Sequence, residues 1–138
     1  SEIKNIGAAE MFGLQERFEK ALTDFKDRVV KELGDVVDSI VVYGSVARGE
    51  AGKDSDIDVL IVGKDKEITS KVSEIGYEVD YENNFETFIT PIYYPTDELE
   101  HRARVRSPFI YEVLKEGVPL YDNGTFKRIR EKMLRAGG

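Results

Sequence analysis

The sequence contains no cysteine. Disulfides and thiolate-held metal sites are therefore excluded, which fits a reducing cytoplasm. A single histidine, His101, is too little for a zinc site and reads as a polar position on a helix surface. No apolar run is long enough to span a bilayer, so no membrane association is expected. The opening stretch, SEIKNIGAAEMFG, has neither the basic nor the apolar segment of a secretory leader. A cytoplasmic location is the expectation. No internal repeat, low-complexity tract or linker interrupts the 138 residues, which read as one domain. Cations are the scarcer charge, with 20 Lys and Arg against 27 Asp and Glu and a net charge of −7. Such a domain is a poor bulk binder of nucleic acid, because phosphate affinity comes from Lys and Arg. A small anionic substrate carried with a divalent cation is compatible with it.

What the chain does have is enough apolar material for one core, 41% of residues, and a charged share of 34%, a level met in heat-adapted proteins. Leu14, Phe18, Ala21, Phe25, Val29 and Leu33 recur at spacings of three and four, predicting a helix over about 8–33 that Gly34 stops. The runs SIVVYG (39–44) and DIDVLIVG (56–63) read as buried strands. Ile68, Val72, Ile75 and Val79 predict a helix over about 65–83. ETFITPIYY (86–94) reads as a third strand, with Pro91 marking an edge position or a bulge. Thr96 is a candidate cap for a helix carrying Leu99 and Val105. Ser107, Pro108 and Gly117 frame another helix, VPLY (118–121) is a short extension, and TFKRIREKMLRAGG is a closing basic helix whose residues 133–138 are expected to fray. The predicted class is α/β (α+β), a small mixed β-sheet with helices packed against it.

The informative stretch is VVYGSVARGEAGKDSDIDVLIVG, residues 41–63. Asp56 and Asp58 are two apart on a strand, so both project to one face, with Cα atoms roughly 6–7 Å apart. Unscreened, the two carboxylates repel, and one would have to take up a proton. A hard cation such as Mg²⁺ resolves the conflict and keeps positions open for phosphate oxygens. A solvated, charged strand entrance is the plainer explanation of the same pair. Gly44-Ser45 directly follows the first strand. Glycine allows a tight turn and close approach of a phosphate, and Ser45 offers a hydroxyl where free N–H groups of a short helix would face an anion. Taken alone, the stretch is more simply a plain strand-to-helix turn with a serine cap. Arg48 adds a cation four residues past Gly44. The Gly52-Lys53 pair is not a P-loop, because Ala47 stands where a glycine is required and Asp54 where Ser or Thr is required.

Taken together, Gly44, Ser45, Arg48, Gly49, Ser55, Asp56 and Asp58 resemble the signature of the DNA polymerase β-like nucleotidyltransferase superfamily, and most closely its minimal nucleotidyltransferases, which include MNT-type antitoxins. The resemblance implies a nucleotidyltransferase fold over 1–138. It implies that Gly44, Ser45, Arg48 and Ser55 hold the triphosphate of an NTP, with ATP the expected donor. It implies that Asp56 and Asp58 are catalytic and hold Mg²⁺, with two ions admissible and Mn²⁺ a substitute. Active members carry a third acid on the strand beside Asp-x-Asp. Phe88 to Tyr94 contains no Asp or Glu, and the nearest acids are Asp80, Glu86 and Asp97. Asp80 qualifies only if 77–82 is a strand rather than a helix. Two functions follow as expectations. One is transfer of a nucleoside monophosphate from an NTP to an unidentified acceptor. The other is an antitoxin-like or regulatory nucleotide-binding module acting on a HEPN-type partner with little or no catalysis. A sensor without chemistry is a weaker third. The segment FKRIREKMLR is a candidate contact to a second subunit, giving a homo-oligomer, although packing on its own domain suffices to explain it. HRARVR (101–106) is read as a solvated helix face, and Tyr77, Tyr81, Tyr93, Tyr94 and Tyr111 as rims of the core.

Overall fold

The computed structural model describes the backbone of residues 2–137 and the side chains of residues 16–136. Leu14, expected on the apolar face of the first helix, lies outside the described side chains. The chain runs α1 (Glu2–Leu33), β1 (Val37–Tyr43), α2 (Gly44–Ala47), β2 (Ile57–Gly63), a 3₁₀ turn (Lys66–Ile68), α3 (Thr69–Glu82), β3 (Ile89–Pro95), α4 (Thr96–Arg104), α5 (Pro108–Glu116), β4 (Val118–Asp122) and α6 (Thr125–Gly137). Four strands form one mixed sheet in the order β3-β2-β1-β4. β1 pairs antiparallel with both β2 and β4, while β2 and β3 are parallel. The parallel pair needs a crossover, which α3 supplies.

Helices cover both faces, so the central strands are apolar on both sides. Ile57, Val59 and Ile61 of β2 join Ile40 and Val42 of β1 against Phe25 and Val29 of α1 and Val72, Ile75 and Val79 of α3. Leu60, Val62 and Val41 point the other way, onto Leu99 of α4, Ile110, Val113 and Leu114 of α5, and Phe126 and Ile129 of α6. β3 is an edge strand, which explains how Pro91 is tolerated there. Gly34 ends α1 by donating its N–H to the Val30 carbonyl at 3.0 Å.

Several local expectations need correction. Thr96 does not cap α4 but is its first residue, and its hydroxyl donates to buried Asp38 (2.7 Å) and to the Gly63 carbonyl (3.2 Å). Val105 is 61% exposed, because the helix ends at Arg104 and the chain turns away through Arg106 at φ 54°. Ser107 occupies the cap position of α5 but its side chain makes no cap hydrogen bond. Residues 86–88 belong to the turn before β3 rather than to the strand. Tyr77 and Tyr81 are exposed, not rims of the core, whereas Tyr93, Tyr94 and Tyr111 do pack against it. No helix among the described residues is long and apolar enough to cross a membrane.

Candidate active site

β1 and β2 form an antiparallel pair, and the loop joining them carries the glycine-serine turn. β1 ends at Tyr43, and Gly44 then adopts φ +75° and opens the one-turn helix α2. That conformation strains any residue with a Cβ. Space forbids one as well, since a Cβ on Gly44 would lie 2.5 Å from Oδ2 of Asp58. The turn and the second aspartate are therefore in direct apposition. Beyond α2 the loop is held by the Glu50 N–H on the Ser45 carbonyl (2.9 Å). It is held again by the Gly52 N–H on Oγ of Ser55 (2.8 Å). Ser55 thus shapes the approach to Asp56 and keeps its own hydroxyl proton to donate.

Asp56 immediately precedes β2 and is exposed, while Asp58 is its second residue and half-buried. Strand alternation puts both on the face of Leu60 and Val62, opposite Ile57 and Val59. Burial pushes the Asp58 carboxyl above its ordinary range, the charge of Asp56 adds to this, and Arg48 pulls it back. Tyr43, the partner of Asp58 across the β1–β2 ladder, is pushed up to about 12 by burial, with Asp58 and Tyr94 contributing. The Tyr43 ring packs edge-on against Phe109 at 5.7 Å. Arg48 is exposed, and its guanidinium is shared between Glu50 and Glu116 at 2.9 Å each. These carboxylates steady it beside the acidic pair.

The structure separates the remaining acids from this pair. The parallel register sets Asp58 beside Thr90 and Ile57 beside Ile89. Thr90, exposed on the edge strand, therefore holds the place where a third acid would stand. Asp80 lies on α3, beneath the other face of the sheet. Its buried carboxylate accepts from the Thr87 hydroxyl (2.8 Å) and the Ile89 N–H (2.9 Å). Burial raises its pKa and those two hydrogen bonds work against the rise. It ties down a loop and does not join Asp56 and Asp58. Asp97 follows the far end of β3, and Glu86 is an exposed turn residue. Among the described residues no group of three or more His, Cys, Asp or Glu side chains is placed to share an ion. The donor set is two carboxylates on one face. That fits one Mg²⁺ whose other ligands are phosphate oxygens and water, because Mg²⁺ is held by one or two carboxylates together with substrate phosphates.

Thr90, Glu116 and Tyr43 are neighbours of the acidic pair and the turn that the sequence reading missed. Thr90 becomes visible only through strand register, and Glu116 only through the packing of α5 beside α2. Tyr43 carries a local signal, being the last strand residue before the turn.

A small mixed sheet with helices on both faces, a Gly-Ser turn after the first strand and Asp-x-Asp at the head of the next define a nucleotidyltransferase domain. The chain belongs to that family, whose nucleotidyltransferase domain model matches residues 22–121. It is 31% identical over 98 residues to a Methanocaldococcus jannaschii protein named "Putative protein adenylyltransferase MJ0141", covering 70% of this chain and 92% of that one. In fold it is similar to a toxin-antitoxin solved with AMP-PNP, at a TM-score of 0.51 and 16% identity over 80% of this chain and 85% of that one. It is likewise similar to the toxin-antitoxin MntA-HepT, at a TM-score of 0.50 and 12% identity over 84% and 86%.

Proposed function

We propose that the protein is a Mg²⁺-dependent nucleotidyltransferase that moves a nucleoside monophosphate from an NTP, with ATP the expected donor, to a hydroxyl on an acceptor. The observation that carries this reading is the apposition of Asp58 and the Gly44 turn, with Asp56 on the same strand face. The archaeal relative named for protein adenylyl transfer supports AMP as the group moved.

In this reading Gly44 and Ser45 let the triphosphate approach the backbone of the turn, and Arg48, steadied by Glu50 and Glu116, faces its negative charge. Ser55 keeps the loop closed over that approach. Asp56 and Asp58 hold the cation, which would offset the cost that burial, and then the neighbouring Asp56 charge, place on an ionised Asp58. When bound, Mg²⁺ supplies charge compensation for the α-phosphoryl group and the departing pyrophosphate. The acceptor oxygen bonds to the α-phosphorus, the bond from that phosphorus to the bridging oxygen breaks, and pyrophosphate leaves with the electron pair. Thr90 can hydrogen-bond the acceptor hydroxyl but cannot take its proton at neutral pH, so the proton passes to water.

That last feature supports a second reading, an antitoxin-like module that binds nucleotide and a HEPN-type partner with slow turnover. Incubation with α-labelled ATP, Mg²⁺ and candidate acceptor proteins separates the two. Label transfer that disappears in Asp56→Asn/Asp58→Asn, and that rises in Thr90→Asp, is the expected result. Equal transfer by the native chain and the double variant would remove the acidic pair from the chemistry. Nucleotide binding without any transfer would favour the second reading.

A further inference from the structure

Tyr77, Tyr81, Phe85 and Phe88 are 61%, 64%, 39% and 50% exposed. They are not scattered. The rings of Tyr77 and Tyr81 stack at 6.4 Å, Phe85 lies 5.6 Å from Tyr77 and 6.0 Å from Tyr81, and Phe88 stacks on Phe85 at 6.4 Å. Four large rings in continuous contact with water mark an interaction surface rather than chance exposure. The backbone is strained to produce it. Asn84 and Phe85 both adopt left-handed conformations, φ 61° and 57°, which a bulky aromatic residue rarely does. The Phe85 N–H bonds the Asp80 carbonyl at 2.7 Å and the Asp80 carboxylate holds Thr87 and Ile89, so the loop is fixed with Phe85 outward.

Two observations say what covers the strip. The first is charge. Glu74, Glu78, Glu82 and Glu86 are exposed along its border. Arg28 already occupies Glu82 and Lys71 lies 4.0 Å from Glu74, whereas Glu78 and Glu86 pair with no cation among the described residues and carry the negative charge of the border. Aromatic anchors inside an acidic rim select a basic polypeptide with apolar side chains and disfavour nucleic acid, whose phosphates the rim repels. The second is continuity with the candidate active site. The Phe88 carbonyl accepts the Ile57 N–H at 2.8 Å, and Ile57 lies between Asp56 and Asp58. One end of the strip thus touches the strand that carries the acidic pair.

We propose that this strip is the docking surface for a basic polypeptide and that the docked chain presents its hydroxyl to Asp56 and Asp58. The second half of the proposal rests on the transferase reading, and the docking does not. The test uses the full chain and fluorescence anisotropy with a labelled synthetic peptide of Arg, Leu, Tyr and Ser. Controls are the same peptide with Glu for Arg, and a single-stranded oligo-dT. Salt-sensitive binding of the basic peptide alone is expected, about tenfold weaker in Tyr77→Ser/Tyr81→Ser and in Phe85→Gly. Phe85→Gly suits the left-handed backbone, so it removes the ring without endangering the fold. Failure of the basic peptide to bind, equal binding by these variants, preferred binding of oligo-dT, or a self-associated native chain that the variants dissociate would each overturn the docking. Calorimetry with Mg²⁺ and AMP-PNP reads the nucleotide site separately. Peptide docking without nucleotide binding upholds the surface and removes only the acceptor role, while nucleotide binding without docking defeats the surface and leaves the transferase reading standing.

Discussion

At the residue scale, Asp58 is held in a place that costs stability. Its carboxyl lies above its ordinary range because burial and Asp56 disfavour the charged form. A carboxyl whose folded pKa is raised weakens the folded state at neutral pH, and the penalty fades as pH falls through the raised value toward the unfolded one. Asp58→Asn is therefore expected to stabilise the ligand-free protein at pH 7 by about 1 kcal/mol, the common scale for relieving one such functional strain. The gain should shrink below pH 4. Thermal melts at pH 7 and pH 3.5 without divalent ions check both points, and a lower melting temperature for the variant at pH 7 would contradict them. The aspartate pair was legible in the sequence because a spacing of two fixes the strand face without tertiary information. Thr90 was not, since nothing local to residue 90 says which β2 residue it will stand beside.

At the element scale, the connection from α3 to β3 depends on Asp80. Alternation over 77–82 left open a strand that would carry this acid to the site. The helical face of Ile68, Val72, Ile75 and Val79 prevails, and Asp80 turns inward with that face. Removing its carboxylate leaves the Ile89 N–H and the Thr87 hydroxyl without their acceptor. The expected cost of Asp80→Ala is about 1–3 kcal/mol, read from the urea midpoint, with Mg²⁺-nucleotide binding retained under native conditions. Loss of transfer with unchanged stability would instead return Asp80 to the chemistry. The same helix shows where periodicity stops informing. Tyr77 and Tyr81 are four apart and offset from the buried row, so the pattern puts them on another face but cannot say whether a neighbouring element covers it. Residues 86–88 looked strand-like by composition, yet 86 and 87 lie in the turn and only the Phe88 carbonyl reaches β2, on the Ile57 N–H, before the strand begins at Ile89.

At the scale of the whole molecule, a second buried carboxylate fastens elements distant in sequence. Asp38 on β1 accepts from Thr96 of α4 (2.7 Å) and Asn123 before α6 (2.8 Å), and lies 3.3 Å from the Lys64 ammonium. Burial alone would raise its pKa, but these donors outweigh it and hold the group below its ordinary range. A depressed folded pKa contributes stability above the unfolded value and loses it as pH falls through the folded one. The protein should accordingly lose stability as the pH drops from about 4, the ordinary aspartate range. Asp38→Asn should start less stable at pH 7 and show a flatter acid limb in urea titrations. A parallel pair of acid limbs would show that Asp38 carries no part of it.

The strand order has a kinetic corollary. β1 and β2 each have a neighbour on both sides, so their amides can open to solvent only when a flanking strand departs, while β3 and β4 have one free edge each. The loop that carries Gly44, Ser45 and Asp56 is thus rooted at both ends in the slowest-exchanging backbone of the molecule. Fraying at either rim would leave the Gly44 turn and the acidic pair assembled.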